Sequence, residues 1–377
     1  SQPRKSALAT KYERRLFLRR LIYLCISYIQ GEDTVRKFLT LFVTLFIAST
    51  ALVSAEEIVL KIATVAPARS PWDIELKKVA EEWNRITDGL VTVKIYNMYT
   101  LGGEKAGIQK LKAARPGQQA PLDGAIFTMI GLHELVPDAY IYTLALPFLL
   151  QNQQELDKAL SVYGNKIESK INAAGYELIA WTNVGWLSFY TKEPYKTLGE
   201  LKKIKLAVAG LDSPILSDSF KLSGFNVVDV SSQKFSQMLK SKNGISGFFG
   251  VHLLAYVGGY YKDISYALDT KLCPIMACFV ISKASWDKIP KKYHAAMKES
   301  MNQARKRLND ALDDSDADCV RKMEAGGVTM IRPSKEELKK WEEEFSVNIN
   351  DIHRAFPNAF DMEMYQNIQK LVAPMRK

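Results

Sequence analysis

The sequence predicts an α/β protein of two domains, with one long C-terminal helix that spans both of them. Strand-like and helix-like segments alternate along most of the chain, which is typical of α/β organisation. The segment 56–377 has more residues than a single hydrophobic core usually organises, which favours two domains. Between Pro290 and Gly326 no further proline or glycine interrupts the chain, so 290–325 fits a single long helix.

The first elements are a strand at 58–65 and a helix that begins at Pro71. Ser70 supplies the N-cap, and Pro71 is the first helical residue. Apolar residues keep a helical spacing up to Ile86, and Gly89 ends the helix. Further strands are predicted at 90–96, 122–128, 176–182 and 278–282, helices at 104–114, 153–173 and 334–356, and short units at 204–208, 214–222, 226–230 and 235–241.

Residues 1–55 are predicted to be a signal peptide with an upstream extension. Arg36 and Lys37 precede an apolar run at 38–52, and Val53-Ser54-Ala55 offers the small residues of a cleavage site. A membrane anchor is the alternative, but the run is shorter than the roughly 20 residues of a spanning helix. We expect cleavage after Ala55, and we hypothesise that translation starts at Val35.

The formal net charge of +10 raises the question of a nucleic-acid partner. More than half of this excess lies in 1–55, where nine Lys/Arg stand against three Asp/Glu. No cluster of basic residues interleaved with aromatics follows in 56–377. The sequence therefore predicts no nucleic-acid binding.

The motifs of common catalytic and metal sites are missing from the sequence. None of the four histidines has a second ligand at a spacing that suits a metal. No G-x-S-x-G, P-loop or paired-carboxylate motif is present. We predict no enzyme activity, no metal and no cofactor. Of the three cysteines in 56–377, only Cys273 and Cys278 are close in sequence, and we interpret them as buried free thiols, with a disulfide as the alternative. The sequence does not indicate the state of Cys319.

A series of short stretches carries a resemblance to a known family. They are 63–72, 101–104, 122–125, 136–137, 146–148, 185–208, 223–225, 232–250, 280–290 and 326–328. In order and spacing they resemble the DctP-type periplasmic solute-binding proteins of TRAP transporters. The resemblance implies a periplasmic-binding-protein fold with hinge strands and chain crossings near Thr182 and Tyr266. Domain I would comprise 56–182 and about 266–305, and domain II 183–265 and about 306–377.

The same resemblance implies which residues meet the ligand. The family's two carboxylate-binding arginines fall on Leu187 and Ala207 of this sequence, and its V-D-G-Q-E-N turn falls on 245–250. A carboxylate buried in a closing cleft must be paired, and Arg supplies two charged hydrogen bonds of about 1.5–3 kcal/mol each. Because both arginines are absent, we predict an apolar or neutral ligand rather than an organic acid.

Other residues complete the predicted site. Aromatic surface would come from Trp186, Phe189, Phe248 and Phe249. Core packing is the alternative for these aromatics, and Phe248 and Phe249 should point in opposite directions on a strand. Asn183 and Tyr190 could supply hydrogen bonds. Arg69 or Lys205 could replace the missing charge, and the alternative for Arg69 is a solvated cation in a loop.

The resemblance implies a protein that captures a small molecule by hinge closure in the periplasm. It would deliver this ligand to the small and large permease subunits of a TRAP transporter in the membrane. An alternative is an exported carrier or sensor of hydrophobic molecules that is not coupled to transport. A periplasmic tetratricopeptide-repeat protein is a further candidate partner, because some TRAP systems use one.

Overall fold

A computed structural model describes residues 57–113, 121–208 and 214–376. The predicted signal peptide and its cleavage site lie outside the described residues. Ten strands form two mixed sheets of five strands each. In chain order they are β1 (Ile58–Thr64), β2 (Val91–Asn97), β3 (Gly124–Thr128), β4 (Tyr176–Trp186), β5 (Ser188–Thr191), β6 (Leu206–Val208), β7 (Gly247–Gly250), β8 (Tyr266–Leu268), β9 (Pro274–Ser282) and β10 (Thr329–Ile331).

Each sheet combines parallel and antiparallel pairs. The first sheet has the order β2-β1-β3-β9-β4, in which β1 is parallel to β2 and β3 while β9 is antiparallel to β3 and β4. The second has the order β10-β8-β5-β7-β6, with β5 antiparallel to both of its neighbours. Parallel neighbours need a crossover connection, and helices supply it. The predicted α/β class is confirmed.

Helices flank the two sheets. In chain order they are α1 (Pro71–Ile86), α2 (Gly103–Lys112), α3 (Met129–Leu135), α4 (Gln153–Ala173), α5 (Leu198–Lys203), α6 (Pro214–Leu222), α7 (Ser232–Lys240), α8 (His252–Val257), α9 (Lys283–Trp286), α10 (Lys291–Asp310), α11 (Leu312–Ala325), α12 (Lys335–Ala355) and α13 (Met362–Val372). Short 3₁₀ turns lie at Met98–Leu101, Pro137–Ala139, Ile141–Ala145, Tyr260–Asp263 and Ala373–Arg376.

Helix α1 shows how local sequence and packing agree. The Ser70 hydroxyl accepts the Asp73 N–H at 3.3 Å, and Pro71 is the first helical residue, as predicted. Trp83 is fully buried and stacks on Phe279 of β9 with ring centroids 5.7 Å apart. The helix thus covers one face of the first sheet, and Gly89 (φ +80°) turns the chain into β2.

The predicted single helix over 290–325 is wrong. Two helices, α10 and α11, occupy this stretch and break at Ala311 (φ −90°, ψ −4°). Helix α10 packs on α1 and β4 beside the first sheet, whereas α11 packs on α8 and β10 beside the second. The break lets each helix bury its own apolar face against a different sheet. As a pair they still connect the two sheets.

The C-terminal end returns to the first sheet. Helix α13 packs on α4, although the sequence assigned 306–377 to domain II. Beyond it, Arg376 makes a two-point ion pair with Glu155 at 2.7 and 2.9 Å and donates to the Leu149 carbonyl at 2.7 Å. Glu57–Lys377 forms one compact unit, and the boundaries of domains I and II stay a prediction.

Candidate ligand-binding site

Two short segments, here called the crossing pair, carry the chain between the sheets. One is Leu187, between β4 and β5, and the other is 269–273, between β8 and β9. The Leu187 N–H donates to the Cys273 carbonyl at 2.8 Å, and the Leu272 N–H donates to the Leu187 carbonyl at 3.4 Å. The crossings therefore lie side by side, a few residues beyond Thr182 and Tyr266.

Gly185 permits a close approach beside this pair. It lies in a β-bulge of β4 with φ +141°, in the region that favours glycine. A Cβ atom at this position would lie 2.9 Å from the Cβ of Val251, which precedes α8. Any side chain here would push the first sheet away from the start of α8.

The first cavity has a volume of about 100 Å³ and lies against the crossing pair. Its wall includes Leu187 and Cys273, the end of β3 at Thr128, and apolar faces of α6 and α12. Hydroxyl groups of Ser219 and Ser223 also face it. Among the described residues, no charged side chain lines this cavity. Its chemistry suits a neutral, mostly apolar molecule.

The second cavity, of about 80 Å³, lies between the β1–α1 loop and the start of α8. Ala66, Trp72, Val184 and Leu253 contribute to its apolar wall. Of the residues that the structure describes, none that lines this cavity is charged either.

A buried carboxylate fixes the turn that borders both cavities. Glu104 accepts hydrogen bonds from the Thr128 N–H at 3.1 Å, the Thr128 hydroxyl at 2.9 Å and the Gly131 N–H at 3.0 Å. These bonds hold the β3–α3 turn, where Thr128 is the N-cap of α3. Glu104 therefore positions the wall of the cavities.

Of the predicted site residues, all of which the structure describes, only Leu187 lines either of these two cavities. Phe189 and Phe249 lie one layer behind it. Both phenylalanines are fully buried. Phe220, which lines the first cavity, contacts Phe249 with ring centroids 4.3 Å apart and Phe189 at 6.1 Å. Phe225 stacks on Phe189 at 5.7 Å. The two predicted aromatics thus support the cavity wall through Phe220.

Ala207, Phe248 and Tyr190 face the opposite side of the second sheet. They belong to a separate buried cluster, in which Tyr190 stacks on Phe248 at 4.6 Å. Ala207 is paired with Phe248 across β6 and β7 and is fully buried. None of the three lines either cavity. The predicted opposite orientation of Phe248 and Phe249 is confirmed.

Trp186 and Asn183 also point away from the cavities. Trp186 is buried, with the Lys271 ammonium 5.3 Å from its ring centre. Its Nε1 has no hydrogen-bond partner in the part of the chain that the structure describes. The Asn183 amide donates to Gln153 at 3.1 Å and accepts the Gly185 N–H at 3.0 Å. These contacts hold β4 against Gln153 of α4 and against Lys271.

The two cations considered as replacements for the missing arginines lie outside the cavities. Arg69 is exposed in the β1–α1 loop with φ +65°, and its backbone N–H donates to Asp73 at 2.7 Å. Lys205 is half-buried, and its carbonyl accepts the Ser246 N–H at 2.8 Å. Neither side chain lines a cavity.

A buried polar cluster lies on the far side of the second sheet. The Tyr190 hydroxyl is 2.8 Å from Nδ1 of His252. Burial lowers the pKa of His252 to about 4 and raises the pKa of Tyr190 well above its usual value. Asp316 of α11 is buried nearby, and no described residue forms a hydrogen bond with its Oδ1. Burial raises the pKa of Asp316 to about 7, although Lys271 acts to lower it.

Several lining residues escaped the sequence analysis. Thr128 and Ile275 border both cavities, and Phe220, Phe345 and Ile349 line the first. Phe345 and Ile349 belong to an apolar stripe on α12 with four-residue spacing, which could have marked a buried face. The spacing does not say that the face borders a cavity.

The family model of bacterial extracellular solute-binding proteins, family 7 (DctP), matches residues 62–354. The chain belongs to the DctP family. Members of this family are solute-binding proteins, which confirms the prediction that this protein is not an enzyme.

Individual relatives of this DctP-family protein are distant. A solute-binding protein from Chromohalobacter salexigens is 23% identical over 244 residues, which are 64% of this chain and 69% of the relative. One from Verminephrobacter eiseniae is 21% identical over 292 residues, which are 74% of this chain and 80% of the relative.

Solved structures share the fold. A TRAP periplasmic solute-binding protein from Chromohalobacter salexigens with bound D-glucuronate matches with a TM-score of 0.72 at 19% identity, covering 83% of this chain and 99% of that one. One from Desulfovibrio salexigens with bound orotic acid matches with a TM-score of 0.73 at 16% identity, covering 85% of this chain and all of that one. The predicted periplasmic-binding-protein fold is confirmed.

The described ranges hold neither a membrane-spanning helix nor a cluster of possible metal ligands. No helix in 57–113, 121–208 or 214–376 combines the length and apolar character that crossing a membrane requires. Within the same ranges, His, Cys, Asp and Glu side chains do not gather in threes around a possible metal position. The cysteines described there, Cys273, Cys278 and Cys319, are buried and free, as predicted for Cys273 and Cys278.

Proposed function

We propose that this DctP-family protein captures a neutral, largely apolar small molecule in the first cavity and delivers it to a TRAP membrane permease. The observation that carries the proposal is the cavity wall. Leu187, at a position where the resemblance implies an arginine, lies on that wall among apolar side chains. No charged group of the described residues lines the cavity.

The ligands of the structural neighbours differ from this proposal. D-glucuronate and orotic acid are both acids, and a carboxylate buried from water needs a paired charge. In this chain, Arg69 is exposed and Lys205 lies outside both cavities. An apolar molecule, in contrast, gains about 25 cal/mol for each Å² that it buries against such a wall.

Location and partners follow from the family. We propose a periplasmic protein, cleaved after Ala55, that works with the small and large permease subunits of a TRAP transporter. The names of the structural neighbours support this location. A tetratricopeptide-repeat partner stays a prediction. The alternative, a carrier or sensor uncoupled from transport, would be favoured if no permease genes lay beside the gene for this protein.

Calorimetry of the purified protein tests the ligand class. We expect no binding of D-glucuronate or orotic acid tighter than millimolar, and measurable binding of octanol as an apolar probe. Native mass spectrometry should detect a neutral, apolar molecule that co-purifies. Micromolar binding of either acid by the wild-type protein would contradict the proposal.

A matched pair of variants locates the site. Leu187→Arg places a guanidinium in the first cavity and removes an apolar side chain worth about 1.5–3 kcal/mol of burial, so octanol binding should weaken at least tenfold. Leu222→Arg makes the same change at a position that is 49% exposed and outside both cavities. This control should bind octanol like the wild type. Equal loss in the two variants would contradict the assignment of the first cavity.

A further inference from the structure

The two cavities are neighbours that share a wall. Thr128, at the end of β3, and Ile275, near the start of β9, line both of them. From this shared wall the first cavity extends toward Leu187, α6 and α12, and the second toward the β1–α1 loop and α8. Their volumes are similar, at about 100 and about 80 Å³. Thr128 and Ile275, here called the waist, therefore lie between the two chambers.

The waist suits an apolar group. The Thr128 hydroxyl donates to Glu104 at 2.9 Å and accepts the Ile130 N–H at 3.2 Å, so both of its roles are already met within the protein. Ile275 has no polar side-chain atom. A polar ligand group at this point would lose its hydration without a new partner, which opposes binding. A methylene chain has no polar hydration to lose at this point.

Both chambers are mainly apolar, but among the described residues serine side chains line only the first. They are Ser219 and Ser223, and the Ser223 hydroxyl donates to the Ser219 carbonyl at 2.9 Å. The second presents mainly hydrocarbon, including the side chains of Trp72, Val184 and Leu253. A ligand with one polar end would therefore place that end in the first cavity.

We propose that one ligand occupies both cavities, and that it is a neutral, unbranched amphiphile. Its polar head lies near Ser219 and Ser223, and its alkyl chain passes Thr128 and Ile275 into the second cavity. This inference rests on the proposed function and specifies its ligand class. The second cavity is then the subsite that measures chain length.

A series of n-alkanols from octanol to dodecanol tests the proposal in the full-length mature protein. Each methylene that enters an apolar site should tighten binding about fourfold. Wild-type protein should therefore show a steady fall in Kd along the whole series. An affinity that stops rising at octanol would overturn the two-cavity ligand.

Two plugging variants and one control identify the chamber that the chain enters. Leu253→Trp and Ala66→Leu both enlarge side chains on the wall of the second cavity. Each should abolish the gain from octanol to dodecanol. Val257→Trp adds similar bulk on the same helix, at a site that is 42% exposed and outside both cavities. It should keep the wild-type gain.

The outcomes separate two kinds of failure. If octanol binds but both folded plugging variants keep the wild-type gain, the second cavity is not occupied and this inference fails alone. If no alkanol binds the wild-type protein, the proposed apolar ligand fails, and the inference fails with it. Thermal melting of each variant shows whether it is folded, and Ala66→Leu carries the test if Leu253→Trp does not fold.

Discussion

Asp316 should make the protein less stable as the pH rises from about 4 to 7. Asp316 is 7% exposed, and its Oδ1 has no hydrogen-bond partner among the described residues. Burial raises the pKa of Asp316 from 3.8 to about 7, while Lys271 lowers it and Asp313 raises it further. The folded protein thus holds a proton that the unfolded chain releases near pH 4. Stability falls with pH wherever the native state binds more protons.

The size of the effect follows from the pKa. One pKa unit corresponds to 1.36 kcal/mol, so the rise from 3.8 to about 7 is worth about 4 kcal/mol of unfolding free energy. The loss begins above pH 4 and is complete above pH 7. His252 acts in the opposite sense, because its pKa is lowered to about 4 and its contribution to stability is lost as the pH falls from 6.5. The dependence of wild-type stability on pH therefore does not separate the contributions of Asp316 and His252.

Asp316→Asn isolates this contribution. The difference in unfolding free energy between Asp316→Asn and wild type should shift in favour of the variant by about 3–4 kcal/mol between pH 4 and pH 8. An unpaired amide introduced by Asn changes the unfolding free energy by an amount that does not vary with pH. Urea unfolding followed by circular dichroism at several pH values measures the difference. A difference that stays constant over this range would refute the reasoning. Asp313→Asn, at a side chain 67% exposed, is the control and should change stability by less than about 1 kcal/mol.

Three further predictions concern the fold and its processing. Phe248→Asp and Phe249→Asp should both melt far below the wild type, because each puts an unpaired carboxylate in a packed cluster; a wild-type melting temperature in either would contradict its burial. Arg376→Met should lower the unfolding free energy by about 3–5 kcal/mol in urea unfolding, because it leaves the buried Glu155 without its ion-pair partner. Adding Glu155→Gln should recover part of this stability. A decrease below about 1 kcal/mol for Arg376→Met would mean that the ion pair is dispensable. Intact mass of exported protein should place the N-terminus at Glu56; a mass that includes 38–52 would indicate an anchored form.

Elements with strong local signals were predicted well. The helix at 153–173 matches α4 residue for residue, since Asn152 caps it and its apolar spacing is regular. The helix predicted at 334–356 corresponds to α12 within a residue at each end, and Ser334 is its N-cap. The predicted bounds were less accurate for strands whose pairing partners are distant in sequence. Strand β9 begins at Pro274, four residues before the predicted start, because it pairs there with the end of β4. The predicted unit at 226–230 forms only a single bridge, from Val227 to Leu206.

One predicted site residue lies on a cavity wall and the others do not, for a physical reason. Leu187 came from the family resemblance, and the structure places it on a cavity wall. The strand alternation correctly separated Phe248 from Phe249, but it does not say which face of a sheet meets a cleft. That choice depends on α6, whose Phe220 covers Phe249. Ala207 lies on the other face of the second sheet, in the cluster with Tyr190 and Phe248, and the strand pattern does not indicate that face either.

The position of β9 has a consequence for the order in which the molecule can form. This strand lies between β3 and β4 in the first sheet, yet it follows them by many residues in the chain. Until Pro274–Ser282 has been synthesised, β3 and β4 have no strand between them, and the face that α1 covers lacks Phe279. Contacts of such long sequence separation slow folding, because the entropy of closing the loop must be lost before they form. A nascent chain that ends before this strand therefore lacks a complete core.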